Sequence, residues 1–115
     1  MKTFKHAFKG IFLVLKQERN FQIHIIASIL AITVGYFLQI DRYDWLIMII
    51  TISVVLAAEM INSAVEYLCD FVSPDFNEKI KVVKDISAGA VLITAICALI
   101  IGLVIFGPKF FEIIK

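Results

Sequence analysis

Glu59, Asn62, Glu66 and Asp70 lie within one largely apolar run, Glu59-Met60-Ile61-Asn62-Ser63-Ala64-Val65-Glu66-Tyr67-Leu68-Cys69-Asp70. Helical spacing brings the four onto one side of a helix. Insertion scales put one acidic group at the centre of a membrane helix at roughly 2.5–3.5 kcal/mol. Two glutamates and an asparagine in such a segment therefore need a reason to be there. A stripe of carboxylates with an amide can hold a hydrated divalent cation. Magnesium in particular is bound by one or two carboxylates together with substrate phosphates. Lysines suit those phosphates, and Lys79, Lys81 and Lys84 follow downstream, with Asp85 beside the last of them. Phosphoryl transfer asks a protein mainly for positioning and electrostatic stabilisation. A nucleophilic hydroxyl also needs a base within hydrogen-bonding reach.

The elements that must position these groups follow from hydropathy. The chain has 115 residues, 61% hydrophobic and 18% charged, against about 45–50% apolar in soluble domains. Mean hydropathy is +0.94. These values predict an all-α integral membrane protein, one domain over residues 1–115, with no room for a separate soluble catalytic module. Lys2 to Gln17 is predicted to be an amphipathic surface helix. Phe4, Phe8, Ile11 and Leu15 form its apolar stripe, flanked by Lys2, Lys5, Lys9 and Lys16, the pattern of a helix lying in the membrane interface. Three predicted spans follow at about 23–40, 45–69 and 86–106, the last closed by Gly107-Pro108. Each is near the ~20 residues that cross a bilayer core.

The flanking charges orient the chain. Lys2, Lys5, Lys9, Lys16 and Arg19 precede the first span, and Lys79, Lys81 and Lys84 separate the second from the third. The loop from Asp41 to Asp44 holds only Arg42. The positive-inside rule then predicts a cytoplasmic N-terminus and second loop, in a multi-pass protein of the cytoplasmic membrane. Glu18, Asp70, Lys84 and Asp85 gather at the inner interface. At 1.5 Å per residue, Glu66 lies about 6 Å below Asp70 and Glu59 about 16 Å below it. The stripe thus runs from cytosolic water to lipid depth.

Other chemistries find little support. A net charge of +1 gives no sign of a nucleic-acid partner. There is no Gly-x-x-x-x-Gly-Lys-Ser/Thr loop and no Gly-x-Gly-x-x-Gly, and His6 and His24 do not form a zinc pair at helical spacing. Cys69 and Cys97 are expected to be free and buried. The N-terminus lacks the uninterrupted apolar core and cleavage site of a removable signal.

Glu59-x-Ile61-Asn62-Ser63-Ala64-Val65-Glu66-x-x-x-Asp70, followed by Lys84-Asp85, resembles the prokaryotic diacylglycerol kinase family, small membrane lipid kinases. Glu18-Arg19-Asn20-Phe21-Gln22-Ile23-His24 is similar to the Gram-positive branch, whose usual acceptor is undecaprenol. The resemblance covers essentially the whole chain. It implies three spans plus a surface helix, a homotrimer with active sites shared between subunits, ATP as phosphoryl donor, and Mg2+. It also implies roles. Glu59 would take the proton of the lipid hydroxyl, and Asn62 would orient the reacting groups. Glu18 and Glu66 would hold magnesium on the ATP phosphates. Lys84 and Asp85 would belong to the nucleotide site, with Lys84 on phosphate, and Asp70 would support the cytosolic end. The family often has a histidine in the loop before Lys84; this chain has Asn77 there, assigned with the ATP-binding residues.

Plainer roles are open to the same residues. Glu59 could be a buried acid paired with a neighbouring helix, and Asn62 could join helices by hydrogen bonding. Asp70 could be merely solvated. Lys79 and Lys81 suit a basic patch facing lipid headgroups. His24 is expected to pack or snorkel. Ala57, Ala58, Ala64, Ala88, Gly89 and Ala90 are expected to be close-packing positions between helices. The acceptor could also be diacylglycerol. A small oligomeric transporter would likewise carry an embedded glutamate, although the stripe reaches only one face; a non-catalytic assembly factor would leave Glu59 and Glu66 unexplained.

Overall fold

In the computed structural model, which describes residues 2–114, the chain forms four helices: α1 Lys2–Gln17, α2 Arg19–Phe37, α3 Arg42–Val72 and α4 Glu78–Ile114. The last three are long and apolar enough to cross a membrane. α3 and α4 pack together most extensively, α2 lies against α3, and α1 touches α2 and α3. The molecule measures 57 × 38 × 20 Å and exposes 8942 Å2. A compact soluble monomer of 13.0 kDa exposes about 6300 Å2. The difference is side-chain surface, largely apolar, left for lipid or for other chains.

The junctions explain where each helix stops. Glu18 leaves helical geometry (φ −100°, ψ 110°) and separates α1 from α2. The Gln22 side chain then donates to the carbonyls of Leu15 and Lys16 at 2.8 and 3.3 Å, satisfying acceptors that the end of α1 leaves open. α2 ends at Phe37, three residues short of the predicted span, in a Schellman cap. The Ile40 N–H donates to Gly35 O and the Gln39 N–H to Tyr36 O, with Gln39 at φ 53°. Ile40 folds back over Gly35, where a Cβ would stand 3.0 Å from the Ile40 Cδ1. Asp41 caps α3 by accepting from the Asp44 N–H at 2.9 Å.

Asn77 caps α4, its Oδ1 accepting from the N–H groups of Lys79 and Ile80 at 2.9 and 3.3 Å. Lys79 to Lys84 are therefore helical, and α4 starts eight residues before the predicted third span. Gly107-Pro108 does not close that helix, which runs on to Ile114 with Pro108 inside it. Proline removes one backbone bond, here the one to the Val104 carbonyl, a loss that membrane helices tolerate.

A small core of Ile40, Met48 and Ile105, with Trp45, Ile52 and Phe106 around it, sits at the α2–α3 loop end. The other end holds the polar groups. One expectation fails in part along the helix faces. Both cysteines are free, but Cys97 is exposed on α4 while Cys69 is buried. Ala57, Ala64, Ala88 and Ala90 face outward, and only Ala58 and Gly89 are half-buried.

Candidate active site

α3 carries the centre of the site. Its stripe falls into a burial gradient: Asp70 exposed, Glu66 and Asn62 half-buried, Glu59 at 3% exposure. Ser63, one turn from Glu59, is buried to 2%. These are the two buried polar residues among those described.

Two other elements bring groups to the same end. Half-buried Glu18, at the break between α1 and α2, lies within electrostatic reach of Glu66, as do Lys84 and Asp70. Lys84, in the polar first turns of α4, donates to Asp70 Oδ1 at 2.6 Å and joins α4 to α3. That hydrogen bond holds the Lys84 ammonium above its usual pKa range. Lys81 pairs with Asp85 at 2.7 Å one turn along α4, both exposed. Tyr67 donates its hydroxyl to Gln17 Oε1, tying the end of α1 to α3. This tie sits beside Glu18 and Glu66 in sequence.

The structure therefore brings Glu18, Asn62, Glu66, Asp70 and Lys84 to one region. Asp85 faces Lys81 at its edge, and Asn77 stands at the start of α4 with its carbonyl oxygen engaged in the cap. Glu59 lies deeper. Its neighbour is His24, whose Nε2 is 3.2 Å from the Glu59 Oε1. His24 is thus not simply a packing or snorkelling residue. Sequence reasoning missed this pairing, although a signal existed: a buried acid needs a partner, and His24 is the one basic group within α2 beyond its first residue.

A divalent cation fits this donor set. Among the described residues no three His, Cys, Asp or Glu side chains converge as a self-sufficient metal cage. Magnesium needs none, since it takes one or two carboxylates and completes its shell with phosphates and water. Glu18 and Glu66 are two like charges in mutual reach, an arrangement that a cation relieves. Between Glu66 and Glu59, the buried Asn62 Oδ1 has no hydrogen-bond partner among the described residues. A buried acceptor left open costs about 1–3 kcal/mol and is an available contact for a bound group.

The chain's similarities agree with this chemistry. The family model described as prokaryotic diacylglycerol kinase matches residues 5–106. An undecaprenol kinase from Bacillus subtilis (strain 168) is 35% identical over 108 residues, covering 94% of this chain and 88% of that protein. A diacylglycerol kinase from Synechocystis is 33% identical over 87% of this chain and 58% of its own length. A diacylglycerol kinase from Escherichia coli (strain K12) is 26% identical over 96% and 90%.

Proposed function

The chain belongs to the prokaryotic diacylglycerol kinase family and is a lipid kinase, and from that premise we propose that it transfers the γ-phosphoryl group of ATP to the hydroxyl of undecaprenol. The observation that carries the reading of the site is the burial gradient along α3. One end, at Asp70 and Lys84, is open enough to suit ATP; the other, at Glu59, is buried, which suits a lipid hydroxyl. The similarity to the Bacillus subtilis undecaprenol kinase supports the acceptor.

Each residue takes one task. Glu18 and Glu66 hold Mg2+ on the phosphates, and Lys84 and Asp85 belong to the nucleotide site. Asn77 joins them through its amide nitrogen, which the capping bonds leave free. When bound, magnesium neutralises charge on the transferring phosphoryl group. Asn62 orients the reacting groups with its open Oδ1. Glu59 accepts the proton of the acceptor hydroxyl as that oxygen bonds to the γ-phosphorus and the bond to the leaving ADP breaks. Asp70 holds Lys84 in place.

The single domain works as a homotrimer in the bacterial cytoplasmic membrane, its N-terminus cytoplasmic and its active sites shared between subunits. α1 lies in the interface as a surface helix. Its lysines and the apolar side chains Phe4, Phe8 and Phe12, all exposed in the protomer, support that placement.

The test is phosphate transfer from labelled ATP in mixed micelles with magnesium, undecaprenol and diacylglycerol side by side. Labelled undecaprenyl phosphate with little phosphatidic acid supports the reading. The reverse result supports diacylglycerol, the acceptor named for the Synechocystis and Escherichia coli relatives. Label in neither product, with ATP-independent flux in liposomes, favours a transporter.

A further inference from the structure

Glu59 is on α3 and almost wholly enclosed, its side chain 4% exposed. A carboxylate out of water is unstable there unless another group pairs with it. His24 of α2 supplies that group, with Nε2 3.2 Å from Oε1. None of the tasks assigned above uses His24. The Ser28 hydroxyl, one turn along α2, donates to the His24 backbone carbonyl at 2.7 Å and does not occupy the ring. The ring is 25% exposed. It lines a cavity of about 290 Å3 between α2, α3 and α4, whose walls are mostly apolar side chains such as Ala27, Ala31, Met48 and Ile105. The imidazole thus stands between the carboxylate and a lipid-like space.

A glutamate ends in a broad, weakly restrained torsion. A base must nevertheless present one oxygen to its proton within about 2.6–3.2 Å. We propose that His24 is a positioning residue for Glu59: the imidazole Nε2 holds one carboxylate oxygen from α2, leaving the other aimed at the acceptor hydroxyl. The inference rests on the reading of Glu59 as the base.

The experiment compares His24→Gln, which keeps an N–H donor at similar reach, with His24→Leu, which fills similar space without one. Both are assayed as full-length protein with ATP, magnesium and whichever of undecaprenol or diacylglycerol the parent phosphorylates, with Glu59→Gln run alongside. Misplacement by about 1 Å costs on the order of 100-fold. His24→Leu is therefore expected to lower kcat by roughly 10- to 100-fold, with KM for ATP within about twofold and helical circular dichroism unchanged. His24→Gln is expected to recover most of the rate. If the two variants are equally impaired, or if His24→Leu turns over like the parent, the positioning role is wrong. An inactive Glu59→Gln beside a fully active His24→Leu overturns this inference alone. Parental turnover by Glu59→Gln overturns the base reading, and His24's role with it.

Discussion

Replacing Glu59 by glutamine removes a base and changes almost nothing else. The side chain keeps its length and shape, and the amide nitrogen or oxygen can still face His24 Nε2, now 3.2 Å away. What is lost is the ability to take a proton. General-base assistance contributes typically 10²- to 10⁴-fold, equal to about 2.7–5.4 kcal/mol at 1.36 kcal/mol per decade. Seven helical residues separate Glu59 from Glu66, about 10 Å along α3, so the nucleotide end is not disturbed. The expected result is kcat down by roughly 10²- to 10⁴-fold and KM for ATP within about twofold.

Radiolabel transfer in micelles gives kcat and KM, and a fluorescent ATP analogue gives binding independently of turnover. Glu59→Asp refines the test, since retracting the carboxylate by about one bond should cost on the order of 100-fold through misplacement. A Glu59→Gln enzyme turning over near the parental rate would refute the assignment. So would a parallel loss of ATP binding, which would put Glu59 in the nucleotide site instead.

Glu66→Gln removes one of two carboxylates assigned to the cation; charge-assisted contacts of about 1.5–3 kcal/mol predict an apparent affinity for magnesium-ATP lower by roughly 10- to 100-fold, measured by magnesium titration of the initial rate. Asn77→Ala removes the acceptor for two N–H groups at the start of α4 and should destabilise that end by about 1 kcal/mol, read as faster amide exchange at Lys79 and Ile80. Asp70→Asn takes away the partner that raises the Lys84 pKa. A raised lysine contributes stability that is fully present below the unfolded pKa, about 10.4, and lost as pH rises through the higher folded value. On the alkaline side the parent and Asp70→Asn should therefore converge in stability as pH rises through the folded Lys84 value, and NMR of 13C-methylated lysine should show Lys84 titrating lower in the variant.

The parts of this molecule set by local rules were readable from the residue order. Three apolar helices, the positions of their polar breaks, and the carboxylate stripe on α3 all depend on composition and a 3.6-residue period. Helix ends were less legible, because they depend on caps that compete with hydropathy. Gln39 closes α2 early although glutamine is no usual choice for a left-handed cap. Asn77 starts α4 in a stretch that reads as a turn by composition. Pro108 does not stop α4, which continues through it to Ile114. Contacts between elements distant in the chain were least legible. The Lys84–Asp70 bridge and the His24–Glu59 pair each join residues far apart in sequence, and each exists because α2 and α4 pack against α3.

The site is built on α3, which touches each of the other three helices. α3 contacts α1, α2 and α4, so its polar stripe can be met by Glu18 from the α1–α2 break, His24 from α2 and Lys84 from α4. A reaction between a nucleotide and a membrane alcohol requires a charged end and a dry end joined without a gap, and α3 carries an exposed end and a buried stretch on one continuous helix. The exposed end tolerates charge because water screens it. The buried end tolerates Glu59 because a second helix provides a partner. The same logic explains why so little of the chain is core. With Ile40, Met48 and Ile105 at the far end and most apolar side chains facing outward, the protomer's rigidity near the site comes from polar ties: Tyr67 to Gln17, Gln22 to the end of α1, and Lys84 to Asp70. Each of these lies at the exposed end. Loosening one of them should therefore act on nucleotide binding before it acts on the base.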